Sequence, residues 1–140
     1  MKILVIDGMG GGIGKAIIEK IKTELKSANI IAVGTNSIAT SAMLKAGADY
    51  GATGENAVVY NAPRVDYIAG VMGIAFANSM HGEVSPKMAE AISLSPAHKI
   101  LIPIDKCNVT VTGGALTASA QTHINEIAGT LKEFNNHYTQ

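Results

Sequence analysis

The chain has 140 residues, a length that fits one domain and leaves no room for a second. Hydrophobic residues make up 47% of it and charged residues only 16%, with 15 glycines, which is typical of a well-buried core with many tight turns. The 11 basic and 11 acidic residues cancel and aromatic residues are 4%, so neither a basic patch nor a base-stacking surface is indicated and nucleic acid is not an expected partner.

Cysteine content and hydropathy bear on the compartment. Cys107 is the single cysteine, which excludes an internal disulfide and a multi-cysteine metal site, and we interpret it as a small buried hydrophobic residue. The apolar run at the start is too short for a signal peptide, and no stretch is long enough to span a bilayer. We therefore expect a cytoplasmic protein with no membrane partner and no bound metal.

The first third of the chain predicts two strand-helix units. Residues 3–6 and 29–33 are apolar runs that read as strands buried on both faces of a sheet. Asn36 or Ser37 is the predicted N-cap of the second helix, which runs to Ala46. The first helix carries an apolar stripe with a spacing of four residues: Ile13, Ile17, Ile21 and Leu25.

The middle of the chain continues the alternation. A short strand is predicted near residues 48–51, and a helix is predicted over residues 53–61 with Thr53 as its N-cap. Residues 66–71 form the next predicted strand. Ser85 followed by proline then predicts the start of another helix.

The end of the chain predicts strands at residues 99–104 and 108–112 and a C-terminal helix. Strands that alternate with helices predict an α/β, Rossmann-like, doubly wound fold in residues 1–140, with a mostly parallel sheet of five to six strands and helices on both faces. In such folds ligands bind beyond the carboxyl ends of the strands, where the strand order reverses.

A glycine-rich segment joins the first strand to the first helix, and we call residues 8–14 the glycine turn. Glycine lets the backbone approach an anion closely, while the N–H groups and the dipole at a helix start favour a phosphate. The sequence therefore predicts a phosphate site, with the glycines alternatively needed only for a tight turn and close packing. The predicted binding residues are Gly8, Met9, Gly10, Gly11, Gly12, Ile13 and Gly14.

The spacing of the glycines leaves the ligand open. Gly8, Gly12 and Gly14 fit the G-x-x-x-G-x-G pattern of short-chain dehydrogenases, which favours NAD or NADP. The same segment also fits the G-x-G-x-G turn of adenosylmethionine-dependent methyltransferases, a less favoured alternative. A P-loop is excluded, because Ala16 stands where that motif needs Ser or Thr.

The end of the second predicted strand is the place where dinucleotide sites carry an acidic residue for the ribose. Here the sequence has Thr35 and Asn36, which are able to hydrogen-bond a ribose hydroxyl but serve equally well as turn and cap residues. No Arg or Lys accompanies them to indicate a 2′-phosphate.

A long connection, residues 72–84, offers a second interpretation. Within it His81 and Glu83 form a candidate acid–base pair, with Asn78 nearby, and the alternative is an ordinary solvent-exposed loop. A zinc deaminase is excluded because its pattern needs further cysteines, and the central residues of hydrolase and short-chain dehydrogenase catalysis are missing.

Three stretches carry a family resemblance: KILVIDGMGGGIG at residues 2–14, AGADYGATGENA at residues 46–57 and ANSMHGE at residues 77–83. They resemble a family of short bacterial proteins known as domain of unknown function 3842, from residue 2 to about residue 114. The resemblance implies a stand-alone Rossmann-like domain without an assigned reaction. It also implies candidate pocket residues: Thr53, Asn56, Asn78 and Glu83.

Taken together, these patterns predict a nucleotide- or dinucleotide-binding protein whose glycine turn holds a phosphate. The alternatives are a small-metabolite enzyme that uses His81 and Glu83, and a structural subunit without a ligand. Because one small domain provides few walls for a ligand, we expect a homo-oligomer, a dimer or tetramer, with a small nucleotide-like molecule as its partner.

Overall fold

The protein folds around a five-stranded, all-parallel sheet covered by helices on both faces, which confirms the predicted Rossmann-like α/β class. The structure is a computed structural model and describes residues 1–103, 108–113 and 118–138. Its elements are β1 (Lys2–Asp7), α1 (Gly12–Glu24), β2 (Asn29–Gly34), α2 (Ser37–Lys45), β3 (Tyr50–Thr53), α3 (Glu55–Asn61), β4 (Tyr67–Val71), α4 (Pro86–Leu94), β5 (His98–Ile102) and α5 (Ala120–Tyr138). Short 3-10 turns follow α3 at Ala62–Arg64 and β4 at Met72–Ala75.

The strand order is β3-β2-β1-β4-β5, and β1 lies at the centre of the sheet. Leu4 of β1 pairs with Ile31 of β2 on one side and with Ile68 of β4 on the other. The chain winds outward from β1 to β3 and then returns to β4, so right-handed connections place the helices on opposite faces. The strand order therefore reverses between β1 and β4, which is where ligands bind in such sheets.

Two apolar cores, one on each face, explain why the central strands are uninterrupted apolar runs. Ile3 and Val5 of β1 pack with Ile17 and Ile21 of α1. The same core contains Ile124, Ile127 and Leu131 of α5, and all of these residues are buried. The alternate residues of β1 pack with α3 and α4 through Val58 and other apolar residues. A strand that is buried on both faces needs no polar alternation.

The prediction of a sixth strand over Asn108–Thr112 is wrong, because residues 108–113 form no strand. Asn108 has a φ of 57°, a left-handed conformation that interrupts an extended chain. The predicted end of the fifth strand at Ile104 and the interpretation of Cys107 as a buried residue lie outside the described residues.

The third strand-helix unit begins later than predicted. Thr53 is not the N-cap of α3, because it still pairs with Gly34 in the ladder between β2 and β3. Its side chain hydrogen-bonds the Thr40 hydroxyl at 2.7 Å, and Gly54, with a φ of 98°, caps the helix instead. The predicted caps Asn36 and Ser85 are confirmed, since each side chain accepts a backbone N–H in the first turn of its helix.

No helix in residues 1–103, 108–113 and 118–138 is long and apolar enough to cross a membrane.

Candidate functional site

A cleft of about 880 Å³ lies at the carboxyl ends of β1 and β4, where the strand order reverses. One wall consists of residues 7–13, which include most of the glycine turn. The other wall comes from Val71 and from the connection between β4 and α4 (residues 72–85, the β4–α4 loop), and Asn108 completes the lining. The cleft therefore stands where the fold class predicts a ligand.

The first turn of α1 is capped from a distance by Asp7. The N-cap residue Gly11 has no side chain and lies in the left-handed region, with a φ of 76°. The Asp7 carboxylate accepts the N–H of Gly14 at 2.7 Å and that of Gly8 at 2.8 Å. Gly12 and Ile13, the first two residues of α1, line the cleft, and the described part of the chain supplies no acceptor for their N–H groups.

Burial raises the pKa of the Asp7 carboxyl, since the residue is only 6% exposed. The hydrogen bonds from Gly14 and Gly8 act in the opposite direction because they stabilise the charged form, while the nearby Glu83 carboxylate adds to the increase. Desolvation outweighs the two bonds. Protonation of Asp7 thus costs less than for an exposed aspartate.

Three glycines of the turn are required by the fold itself. A Cβ on Gly8 would lie 2.7 Å from both Thr35 Oγ1 and Met80 Sδ, and one on Gly14 would lie 2.8 Å from Asp7 Cβ. Gly11 needs its positive φ, and its Cβ would also meet the backbone of α2. Packing alone therefore explains these glycines.

Gly10 and Gly12 are different, because a Cβ at either position would have no neighbouring atom of residues 1–103, 108–113 and 118–138 within 4 Å. Neither has a positive φ. Glycine costs about 0.5–1 kcal/mol relative to alanine through the entropy of the unfolded chain. The fold gives no compensation for that cost at these two positions, both of which line the cleft.

Glu83 joins the β4–α4 loop to the glycine turn and to the end of β2. Its Oε1 accepts the Thr35 hydroxyl at 2.6 Å, the Asn36 side-chain amide at 2.7 Å and the backbone N–H of Met9 at 3.0 Å. These bonds lower the pKa of Glu83, with the Thr35 hydroxyl contributing most and the Met9 N–H next. Glu83 is therefore held ionised as an internal acceptor.

Both polar groups of the Asn36 side chain have hydrogen-bond partners within the protein. Its Nδ2 donates to the Met9 carbonyl at 2.9 Å as well as to Glu83, and its Oδ1 accepts the N–H of Ala39 at 2.9 Å as the cap of α2. The side chains of Thr35 and Asn36, predicted either to bond a ribose or to serve as turn and cap residues, both contact Glu83.

Backbone strain is concentrated at the cleft. Met9, Asn78, Met80, His81 and Asn108 have φ values between 53° and 65°, and they are all of the non-glycine residues with positive φ in the described part of the chain. Every one of them lines the cleft. A left-handed conformation costs an ordinary side chain such as that of Met9 or Met80 about 1–2 kcal/mol, and asparagine less, and such strain persists in proteins mainly at functional sites.

The β4–α4 loop holds this strained conformation through internal hydrogen bonds. The N–H of Asn78 donates to the Val84 carbonyl at 2.7 Å, and the N–H of Val84 donates to the Ser79 carbonyl at 3.2 Å. The Ser79 hydroxyl, which is buried, donates to the carbonyl of Gly73. The loop is consequently a folded wall of the cleft.

The family model for the domain of unknown function DUF3842 matches residues 2–136. The chain belongs to this family. The match confirms the resemblance carried by the sequence and extends it beyond residue 114 into α5.

Other comparisons add little to this assignment. No curated protein matches the DUF3842 chain. Among solved structures, it is similar to a dodecameric FMN-dependent UbiX-like decarboxylase from Escherichia coli O157:H7, with 15% sequence identity and a TM-score of 0.46, over 89% of this chain and 76% of that one.

The predicted site residues of the DUF3842 protein fall into three groups. Most of the glycine turn lines the cleft together with Asn78 and His81, whereas Gly14 packs against Asp7. Thr35 and Asn36 contact Glu83 behind the turn. The remaining two do not line the cleft: Thr53 and Asn56.

The acid–base pair of His81 and Glu83 is not assembled by a hydrogen bond, because Glu83 Oε1 faces Thr35 and Asn36. The pair stays a prediction.

Sequence reasoning missed Asp7 as a cap and Phe76 and Met80 as walls of the cleft. A polar residue at the end of a buried strand was the one signal able to reveal Asp7.

Within the described residues, no group of three His, Cys, Asp or Glu side chains is placed to hold a metal.

Proposed function

We propose that this DUF3842 protein binds a nucleotide-like ligand whose phosphate rests on the glycine turn and the N-terminus of α1. The observation that carries the proposal is the open space at Gly10 and Gly12 together with their position on the wall of the cleft. Glycine at these positions has an entropic cost that no contact with the described residues explains, whereas close approach of a ligand to the backbone would explain both.

The electrostatics of the turn support a phosphate. The N–H groups of Gly12 and Ile13 and the positive end of the α1 dipole favour an anion, and the first turn of α1 contains no acidic residue. Asp7 opposes a second negative charge nearby.

The walls of the cleft suit the rest of such a ligand. Ile13, Phe76 and Met80 provide apolar surface, and Asn78 offers a polar side chain. The volume of about 880 Å³ lies within the range of about 300–1,000 Å³ that is typical of small-molecule sites.

The proposal is tested by thermal unfolding of the wild-type protein with the nucleotides AMP, FMN, NAD and NADP, and with adenosylmethionine as a nucleoside that carries no phosphate. A ligand at about 100 times its Kd stabilises the native state by about 2.7 kcal/mol, a shift of several degrees for a chain of this size. Gly12→Ala should weaken the affinity for the ligand at least tenfold, which reduces the thermal shift at the same ligand concentration. Gly129→Ala, at an open position in α5, is the matched control and should retain full binding. Equal affinity in both variants would contradict the phosphate site.

We also propose that the protein is a homo-oligomer, as a chain of 140 residues has few walls to offer a ligand. Ile38 and Tyr50, at 70% and 63% exposure, give α2 and β3 apolar surface of the kind that interfaces bury. Light scattering at micromolar concentration tests this, and a monomer mass would rule it out.

A further inference from the structure

We infer that the ligand is a nucleoside monophosphate and that the site rejects dinucleotides, because Glu83 already fills the place of a second nucleoside. The inference rests on the proposed function and narrows its ligand class. In dinucleotide sites of this fold, the phosphates lie on the glycine turn and the adenosine extends past the end of the second strand, where its ribose is bound. In this chain that position is the end of β2.

The hydrogen-bonding groups at the end of β2 are already satisfied. Thr35 Oγ1 and Asn36 Nδ2 both donate to Glu83 Oε1, at 2.6 and 2.7 Å, and the remaining amide hydrogen of Asn36 bonds the Met9 carbonyl. A ribose hydroxyl that took the place of Glu83 at Thr35 and Asn36 would need to displace an ionised carboxylate whose Oε1 holds three donors. The protein thus supplies its own acceptor to the groups that would otherwise read a ribose.

Side chains of the β4–α4 loop pack against the glycine turn at Gly8 and Met9. A single carbon atom added to Gly8 would lie 2.7 Å from Met80 Sδ and 3.3 Å from Glu83 Oε1. The N–H of Met9 also bonds Glu83 directly, at 3.0 Å. At Gly8 and Met9, the route from the turn towards the end of β2 is therefore occupied by Met80 and Glu83.

On the other side of the glycine turn, towards β4, the space is open. Gly10 and Gly12 border open space, and the cleft extends from them along the β4–α4 loop to Phe76 and Asn78. A phosphate on the start of α1 would thus carry its single nucleoside towards β4. One half of a dinucleotide site is open, and the other half is occupied by Glu83.

NAD is a suitable probe, because its two halves, AMP and nicotinamide mononucleotide, are available as separate compounds. Titration calorimetry of the wild-type protein with all three should show at least one mononucleotide binding tenfold or more tightly than NAD. FMN against FAD provides a second matched pair with a larger ring. The same measurements on Glu83→Ala and Thr35→Val should show the preference for the mononucleotide reduced, provided that each variant retains a cooperative unfolding transition.

The outcomes separate the inference from the proposed function. If NAD or FAD binds the wild-type protein as tightly as its mononucleotide halves, and Gly12→Ala abolishes that binding, the inference is overturned while the phosphate site stands. If the protein binds none of AMP, nicotinamide mononucleotide, NAD, FMN and FAD, the inference and the proposed function fail together. The wild-type comparison needs no variant, so a Glu83 variant that does not fold leaves the test intact.

Discussion

Two substitutions in the first turn of α1, Gly12→Ala and Gly14→Ala, should change stability in opposite directions. The new methyl group of Gly12→Ala meets no atom of the described part of the chain within 4 Å, and alanine reduces the entropy of the unfolded chain, so we expect a gain of about 0.4–1 kcal/mol. At Gly14 the same methyl group would lie 2.6 Å from Met43 Sδ and 2.8 Å from Asp7 Cβ. Overpacking of this kind costs about 1–3 kcal/mol.

These free energies convert into measurable melting temperatures. The entropy of unfolding is about 2.1 cal/mol/K per residue, or about 0.29 kcal/mol/K for the chain. Gly12→Ala should therefore raise Tm by about 1–3 °C, and Gly14→Ala should lower it by about 3–10 °C. Calorimetry together with urea unfolding followed by circular dichroism gives both quantities and checks that the transition is two-state.

The result that would refute this reasoning is a loss of stability in Gly12→Ala comparable to that in Gly14→Ala. It would mean that both glycines serve packing, and the main support for a ligand at the turn would disappear. A stabilised Gly12→Ala that still binds its nucleotide as tightly as wild type would separate the two claims, since the open space would be real and the phosphate contact absent.

Three further predictions concern residues around the cleft. Glu83→Gln should destabilise the protein by about 1–2 kcal/mol at neutral pH. Because folding lowers the pKa of Glu83, this difference in stability from wild type should shrink as the pH falls below the unfolded pKa of about 4.3, and urea unfolding across a range of pH measures it. Asp7→Asn leaves a single oxygen for the N–H groups of Gly8 and Gly14 and should cost about 1–3 kcal/mol; a neutral effect would show that the carboxylate does not cap α1. Met9→Gly relieves a left-handed residue that is 54% exposed and should raise stability by about 0.5–1 kcal/mol, whereas a loss on thermal unfolding would place the strain elsewhere.

Local signals in the sequence predicted most of the fold correctly. Residues 3–6 are apolar without alternation because β1 is buried on both faces, and Asn36 and Ser85 cap helices through bonds that reach only three residues along the chain. The glycine turn was recognisable for the same reason, since its position between a strand and a helix is a local property.

Features that depend on distant contacts could not be predicted. Residues 108–112 alternate in a β-like manner, but strand formation depends on pairing with a neighbour, and the left-handed Asn108 is not compatible with an extended start. Glu83 is 74 positions from Met9, so its bond to the turn appears only when the fold brings β1 and β4 together. The neighbouring His81 made an acid–base pair one interpretation of Glu83, and the fold directs Glu83 Oε1 towards Thr35 and Asn36.

Two separate costs to stability converge on one edge of the sheet. Gly10 and Gly12 carry the entropic cost of glycine without a packing reason, while Met9, Met80 and Asn108 adopt backbone conformations that ordinary residues avoid. Selection for stability alone would remove the cost at the glycines by single substitutions, since alanine meets no described atom at either position. Both costs lie around one cleft, at the point where the strand order reverses, and the proposed ligand would account for both.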